Sequence, residues 1–317
     1  MKILITGYTG FVGKAVTVYL GSKGHQLIGW SRQRRAKFNH LQKSFTGDIG
    51  PQTDFKSALS GLDAVIHLAT SVHVMNEKAK NPLAEFRKVN VHGTVNLARQ
   101  AVRYGVKKFI YLSSIKVNGE QTAYSCAFSE DDIPNPVGPY AISKLEAEQE
   151  LFKIAYNSSM EIIIIRPPIV YGPGVKANFR SMMKWLYKGA PLPLGATKNK
   201  RSLVGLGNLV DFIATCLEHP AAANEIFLVS DGEDISTSEL LRRTARALGV
   251  PARLLPIPPM LLKVAAKLAG KNEMVHRLLG NLQVDISKAK KVLGWSPSFS
   301  IDEELEKAAR WFLEEKI

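Results

Sequence analysis

A chain of 317 residues, 45% hydrophobic and 22% charged, has the composition of a globular protein and the length for one large α/β domain or two fused lobes. Its two cysteines, Cys126 and Cys216, lie far apart without metal-ligand spacing, so neither a disulfide framework nor a metal site is expected, and no apolar run is long enough to span a bilayer. The formal charge of +14 asks for an anionic partner. The basic residues are scattered and accompany no nucleic-acid-binding motif, so the expected partner is a phosphorylated small molecule rather than nucleic acid, with attraction to anionic membranes as a secondary effect.

A strand beginning at Lys2 leaves no room for a signal peptide, and a cytoplasmic protein is expected. Glycines at 7, 10 and 13 follow this strand, and Lys14 to Leu20 continues as a helix. In such a turn the first glycine allows the bend, the second lets the backbone approach a pyrophosphate and the third lets helix pack on strand, while the helix N-terminus favours the anion. The whole turn, Gly7, Tyr8, Thr9, Gly10, Phe11, Val12 and Gly13, is therefore assigned to a dinucleotide cofactor. A second strand, Gln26 to Trp30, runs into Ser31, Arg32 and Arg35. A carboxylate here would hold the ribose of NAD, whereas arginine accommodates the 2′-phosphate of NADP, so NADP(H) is preferred and NAD(H) is the alternative.

Phe45 to Ile49 predicts a third strand that places Asp48 and Ile49 near the adenine. Leu62 to Ala69 reads as a buried parallel strand in which His67 is a core histidine, opening onto Leu68, Ala69 and Thr70 where the cofactor backbone passes. A polar loop follows and holds His73 at the level of the site. A helix is then expected to start at Asn90, which either caps it or holds a backbone kink or a proton-relay water. Lys108 to Ser114 is the next strand, and its polar end, Ser113 and Ser114, lies where open α/β sheets bind ligands. Tyr140 and Lys144, four apart in a helical segment, fall on one face about one turn apart, so the ammonium can act on the phenol. A neighbouring cation lowers the tyrosine pKa from near 10, which makes the pair a proton switch.

Glu161 to Arg166 is a sixth buried strand ending at Pro167, which is placed among the cofactor contacts. Residues 1–170, with a returning segment near 203–230, are read as the dinucleotide-binding domain, and residues 171–202 with 231–317 as a smaller substrate-binding domain. In the latter, Asn178, Arg201 and Arg277 are candidate substrate contacts, Arg201 by bidentate bonding to a diphosphate. Leu254 to Gly270, with three prolines and two lysines, is expected to cover a core or cleft. The C-terminal third reads as mostly helical.

Taken together, Thr6-Gly-Tyr-Thr-Gly-Phe-Val-Gly13, Asp48-Ile49, His67-Leu-Ala69, Ser113-Ser114, Tyr140-x-x-x-Lys144, Arg166-Pro-Pro-Ile-Val-Tyr-Gly172 and Leu293-Gly-Trp295 resemble the extended short-chain dehydrogenase/reductase family over nearly the full chain, in particular its nucleotide-sugar epimerases and reductases. The resemblance implies a Rossmann-type doubly wound parallel sheet, a smaller C-terminal α/β domain for a UDP-sugar, and a homodimer formed through helices starting near Asn90 and Tyr140. It also implies that Ser114 polarises the C4 oxygen of the sugar, that Tyr140 is the acid or base, and that Lys144 binds the nicotinamide ribose.

Departures from the family pattern narrow the chemistry. Ile115 and Lys116 stand where the dehydratases carry an Asp-Glu pair, so no dehydration is expected. Serine and arginine after the second strand favour a reductase that exchanges NADPH each turnover. The reading from sequence is thus reduction of the 4-keto group of a UDP-linked 6-deoxy-N-acetylhexosamine for surface polysaccharide precursors. The alternatives are a UDP-sugar 4-epimerase with tightly bound NAD and a non-catalytic NADP-binding protein.

Overall fold

In the computed structural model, which describes all residues except 33–38, 72–80, 269, 271–274, 276–277 and 316–317, the apolar runs become the middle of a seven-stranded sheet. Strands β1 (Lys2–Thr6), β2 (Gln26–Ser31), β3 (Leu41–Thr46), β4 (Ala64–His67), β5 (Lys108–Leu112), β6 (Glu161–Arg166) and β9 (Ile226–Leu228) lie in the order β3-β2-β1-β4-β5-β6-β9. Every neighbouring pair is parallel. An all-parallel sheet must be covered on both faces, and strand alternation divides the core accordingly. Ile3, Ile5, Ile66, Ile110 and Ile163 pack with α1 (Phe11–Ser22) and α7 (Leu206–Glu218). Leu4, Val65, Phe109, Ile162 and Ile164 pack on the other side with α2 (Lys56–Leu59), α4 (Thr94–Arg103) and α5 (Gly138–Tyr156). From β1 the chain steps out to β2 and β3, then crosses back to β4. The strand order reverses there, and the crevice beyond the carboxyl ends of β1 and β4 is where such sheets take ligands.

A second, three-stranded sheet joins β7 (Ile169–Tyr171), β8 (Arg201–Gly205) and β10 (Asp234–Ile235), with β8 between a parallel and an antiparallel neighbour. Tyr171, Leu203 and Ile235 pack here with α6 (Ala177–Tyr187), α8 (Thr237–Ala247) and the last helix, α10 (Ile301–Glu314). Phe11, in the first turn of α1, packs against this core as well as against that of the large sheet, so the glycine-rich turn lies where the two meet.

The structure corrects two expectations and narrows a third. The third strand is Leu41–Thr46, and Asp48 lies exposed beyond its end. This edge strand is mostly exposed and is held by backbone pairing to β2, so it carries no apolar alternation to read. The helix expected from Asn90 starts earlier, with α3 (Pro82–Arg87), where the Asn81 side chain accepts from the Ala84 amide at 3.1 Å and caps it. A π-helical turn, Lys88–Gly93, then leads into α4 and contains Asn90. Finally, only the start of the stretch Leu254 to Gly270 meets a core, with Leu254 packed against that of the smaller sheet. The stretch contains α9 (Pro259–Leu268), of whose residues only Ala266 is buried.

Candidate active site

The glycine turn has the geometry its spacing implies. Gly7 has φ of 71°, and a Cβ there would come within 2.8 Å of the Ala69 amide nitrogen at the end of β4. A Cβ on Gly13 would collide with the Gly7 carbonyl, so α1 can pack this close to β1 only with glycine at 13. Gly10 caps α1, donating from its amide to the Gly7 carbonyl at 2.8 Å. No side chain caps the helix and no acidic residue lies in its first turn, so the N-terminal amides and the helix dipole face outward toward an anion. The turn therefore fits a dinucleotide pyrophosphate. At the end of β2, Ser31 is buried and Arg32 is exposed; Arg35 falls outside the described residues, as do His73 and Arg277.

Below the turn, His67 sits between two hydroxyls, with Nδ1 2.6 Å from Thr6 Oγ1 and Nε2 2.9 Å from Thr94 Oγ1. Burial drops its pKa from the usual 6.5 to about 3, so it is a neutral core histidine that ties β1 to β4 and α4. Between pH 6.5 and 3 the unfolded chain takes up a proton here that the folded chain refuses, so stability falls as the pH drops through that window. A His67→Asn variant is expected to show a shallower fall in melting temperature from pH 7 to 4; an unchanged slope would assign the acid sensitivity to other groups.

The catalytic candidates stand beyond the carboxyl ends of β4 and β5, Ser114 just after β5 and Tyr140 beside Thr70, which follows β4. Ser114 is half-buried and caps the short 3₁₀ turn Ile115–Val117 through the Lys116 amide at 3.3 Å, while the Ile115 amide bonds the Pro167 carbonyl at 3.0 Å. Tyr140 lies in the first turn of α5 with its ring edge-on to Phe86 at 6.0 Å. Burial raises its phenol pKa to about 12, against a hydrogen bond with Thr70 that lowers it. Asn90 secures this corner from inside the π-helical turn. Its Oδ1 accepts from the Thr70 hydroxyl at 3.1 Å and the Ser71 amide at 2.8 Å, while its Nδ2 donates to Ser71 O at 3.1 Å and Ser143 Oγ at 3.0 Å. A simple cap this is not; Asn90 fastens the loop after β4 to the α5 turn that carries Tyr140.

Lys144 is 1% exposed, and its ammonium donates to the Leu112 carbonyl at 2.8 Å and to Tyr111 Oη at 3.2 Å. Burial lowers its pKa to about 7, opposed by the charge of Glu148 one turn further along α5. Glu148 and Arg166 were not singled out from the sequence as a pair, yet they form an ion pair in which both side chains are 2% exposed, Arg166 Nη2 to Glu148 Oε2 at 2.6 Å. Ser113 donates to Glu148 Oε1, and Arg166 Nη1 donates to Asn118 Oδ1 at 3.0 Å. Two signals were available: Glu148 shares the helical face of Tyr140 and Lys144, and Arg166 is a charge closing an isoleucine-rich strand. The substrate candidates stand on other elements. Arg201 opens β8, is half-buried and donates to Gly280 O at 3.2 Å, whereas Asn178 is exposed in the first turn of α6.

Comparison with known proteins shows the family. The NAD dependent epimerase/dehydratase family matches residues 3–230. A UDP-glucose 4-epimerase of Vibrio cholerae is 49% identical over 314 residues, covering 99% of this chain and 96% of that protein. Among more distant relatives, an N-acetyl-alpha-D-glucosaminyl-diphospho-ditrans,octacis-undecaprenol 4-epimerase of Escherichia coli O157:H7 is 26% identical over 98% of this chain and 95% of its own length. The solved UDP-glucose 4-epimerase of Thermotoga maritima has the same fold, with a TM-score of 0.78 at 24% identity and full coverage of both chains. The glycine turn on a doubly wound sheet, the Ser-Tyr-Lys set at its carboxyl edge and the family match over most of the chain lead to one conclusion: the chain is an enzyme of the NAD-dependent epimerase/dehydratase family.

Proposed function

We propose that the protein is a UDP-sugar 4-epimerase, of the UDP-glucose or UDP-N-acetylglucosamine type, that keeps one NAD bound through its cycle. The observation that carries this reading is the 49% identity, over almost the whole of both chains, to a UDP-glucose 4-epimerase. That identity outweighs the reductase reading, whose preference for NADPH was drawn from Ser31, Arg32 and Arg35. The absence of an acidic residue at Ser31 and Arg32 still favours the second reading, an NADPH-dependent reductase of a UDP-4-keto-6-deoxy-N-acetylhexosamine in surface polysaccharide synthesis.

Bound between the glycine turn and Lys144, a nicotinamide dinucleotide would supply reversible hydride acceptance at the sugar C4. The protein's own part is proton transfer and positioning. Tyr140 takes the proton of the C4 hydroxyl as the sugar is oxidised and returns it after the 4-keto sugar has turned its other face, while the Ser114 hydroxyl bonds the same oxygen. With its phenol pKa raised to about 12 by burial, Tyr140 rests protonated, and positive charge nearby is what makes it a base. Lys144, four residues along the same helix and with its pKa lowered to about 7, is the cation this reading assigns to that task. Asn90 holds the Thr70 hydroxyl against the phenol. Arg201 neutralises the diphosphate of the UDP moiety. A homodimer through the outer faces of α4 and α5 is part of the same proposal.

The test is to denature purified protein and identify the nucleotide released, then to supply UDP-glucose. Near-equimolar NAD and formation of UDP-galactose without net cofactor use are expected. Protein that releases no nucleotide and binds NADPH in preference to NADH would overturn the epimerase in favour of the reductase.

A further inference from the structure

Helix α9 turns its apolar side outward. Met260 is 77% exposed, Leu261 60%, Val264 53% and Leu268 85%. At 3.6 residues per turn these four fall within roughly 100° of arc. The opposite side, with Ala266 and Leu262, faces the protein. Single exposed leucines are ordinary, but four large apolar side chains along one side of a ten-residue helix form a continuous stripe. Lys263 and Lys267 border it on one edge, both exposed. The surrounding chain is basic too: residues 251–280 hold Arg253, Lys263, Lys267, Lys271 and Arg277 against a single acid, Glu273.

These features select the kind of surface that covers the stripe. A helix of this length spans roughly 15 Å, half a bilayer core, and among the described residues no helix is long and apolar enough to cross a membrane. A second copy of the chain would bring the same lysines against each other on a molecule already carrying +14. An anionic bilayer takes both parts at once, the stripe at the level of the first acyl carbons and the lysines among the headgroup phosphates, as interfacial helices do. We propose that α9 docks the protein on an anionic phospholipid surface. The proposal is independent of which sugar is turned over.

Full-length protein is sedimented with vesicles of phosphatidylcholine alone and of phosphatidylcholine with phosphatidylglycerol. Binding to the anionic vesicles, weakened by salt, is expected. Leu261→Asp with Leu268→Asp should abolish it, and Lys263→Glu with Lys267→Glu should lower the partition coefficient by roughly tenfold or more. All four positions are on the surface, so circular dichroism and nucleotide-sugar turnover are expected to match those of the parent protein. Failure of the parent protein to bind, equal binding by the variants, or equal partition onto phosphatidylcholine alone would overturn the proposal. So would an apolar-face variant whose only change is a smaller oligomer in lipid-free solution, since the stripe would then hold a second copy.

Discussion

Tyr140→Phe is expected to lower the turnover number by about 10³-fold while leaving the fold and nucleotide retention unchanged, because general acid–base groups contribute roughly 10²–10⁴. The phenylalanine ring keeps the edge-on contact with Phe86, and the Thr70 hydroxyl keeps its bond to Asn90 when the phenol oxygen is removed. What is lost is the one proton carrier at the head of α5. With the hydroxyl acting in the transition state rather than in substrate capture, the turnover number should fall with little change in KM. Nucleotide content and melting temperature are measured beside the kinetics. A variant that is folded, holds its nucleotide and turns over within tenfold of the parent protein would remove Tyr140 from the proton-transfer step.

The parts of this site that could be read from the chain are those whose chemistry is local. Gly7, Gly10 and Gly13 announce a turn because each spacing answers a backbone requirement, and the structure meets each one with a close approach of Ala69 or of the Gly7 carbonyl. Tyr140 and Lys144 share a helix, so their common face follows from the helical repeat alone. What that repeat does not disclose is where a long side chain finds its partner. The Lys144 ammonium goes to the Leu112 carbonyl because a strand end supplies a strong acceptor from another element. Asn90 was placed at a helix start because asparagine caps helices, but the cap is Asn81, and Asn90 works inside a π-helical turn whose shape depends on Gly93 lying against Ile49. The edge strand β3 has no apolar pattern to read. Helix α9 is the opposite case, since hydrophobicity alone does not say whether an apolar face meets protein or something else.

Removing either Glu148 or Arg166 is expected to destabilise the protein by about 3–5 kcal/mol, whereas removing both should cost less than either alone. The guanidinium donates to Glu148 from Nε at 3.1 and 3.2 Å and from Nη2 at 2.6 Å, in a site that water does not reach. Taking away one ion strands the other in a low-dielectric interior, which is where the cost arises; replacing both, for example Glu148→Met with Arg166→Met, strands neither. Denaturant melts of the two single variants and the double variant measure this directly, and strictly additive losses would show that the ions do not act as a pair. The pH profile carries the functional half of the prediction. Glu148 is the charge that holds the Lys144 pKa up at about 7 against burial. Without it that pKa falls, and the ammonium that Tyr140 needs is lost at lower pH. Activity that declines above neutral pH in the parent protein should therefore decline from a lower pH in Glu148→Gln, and the stabilised double variant should share that shift. A double variant with regained stability and an unmoved alkaline limb would confine the pair to a structural role.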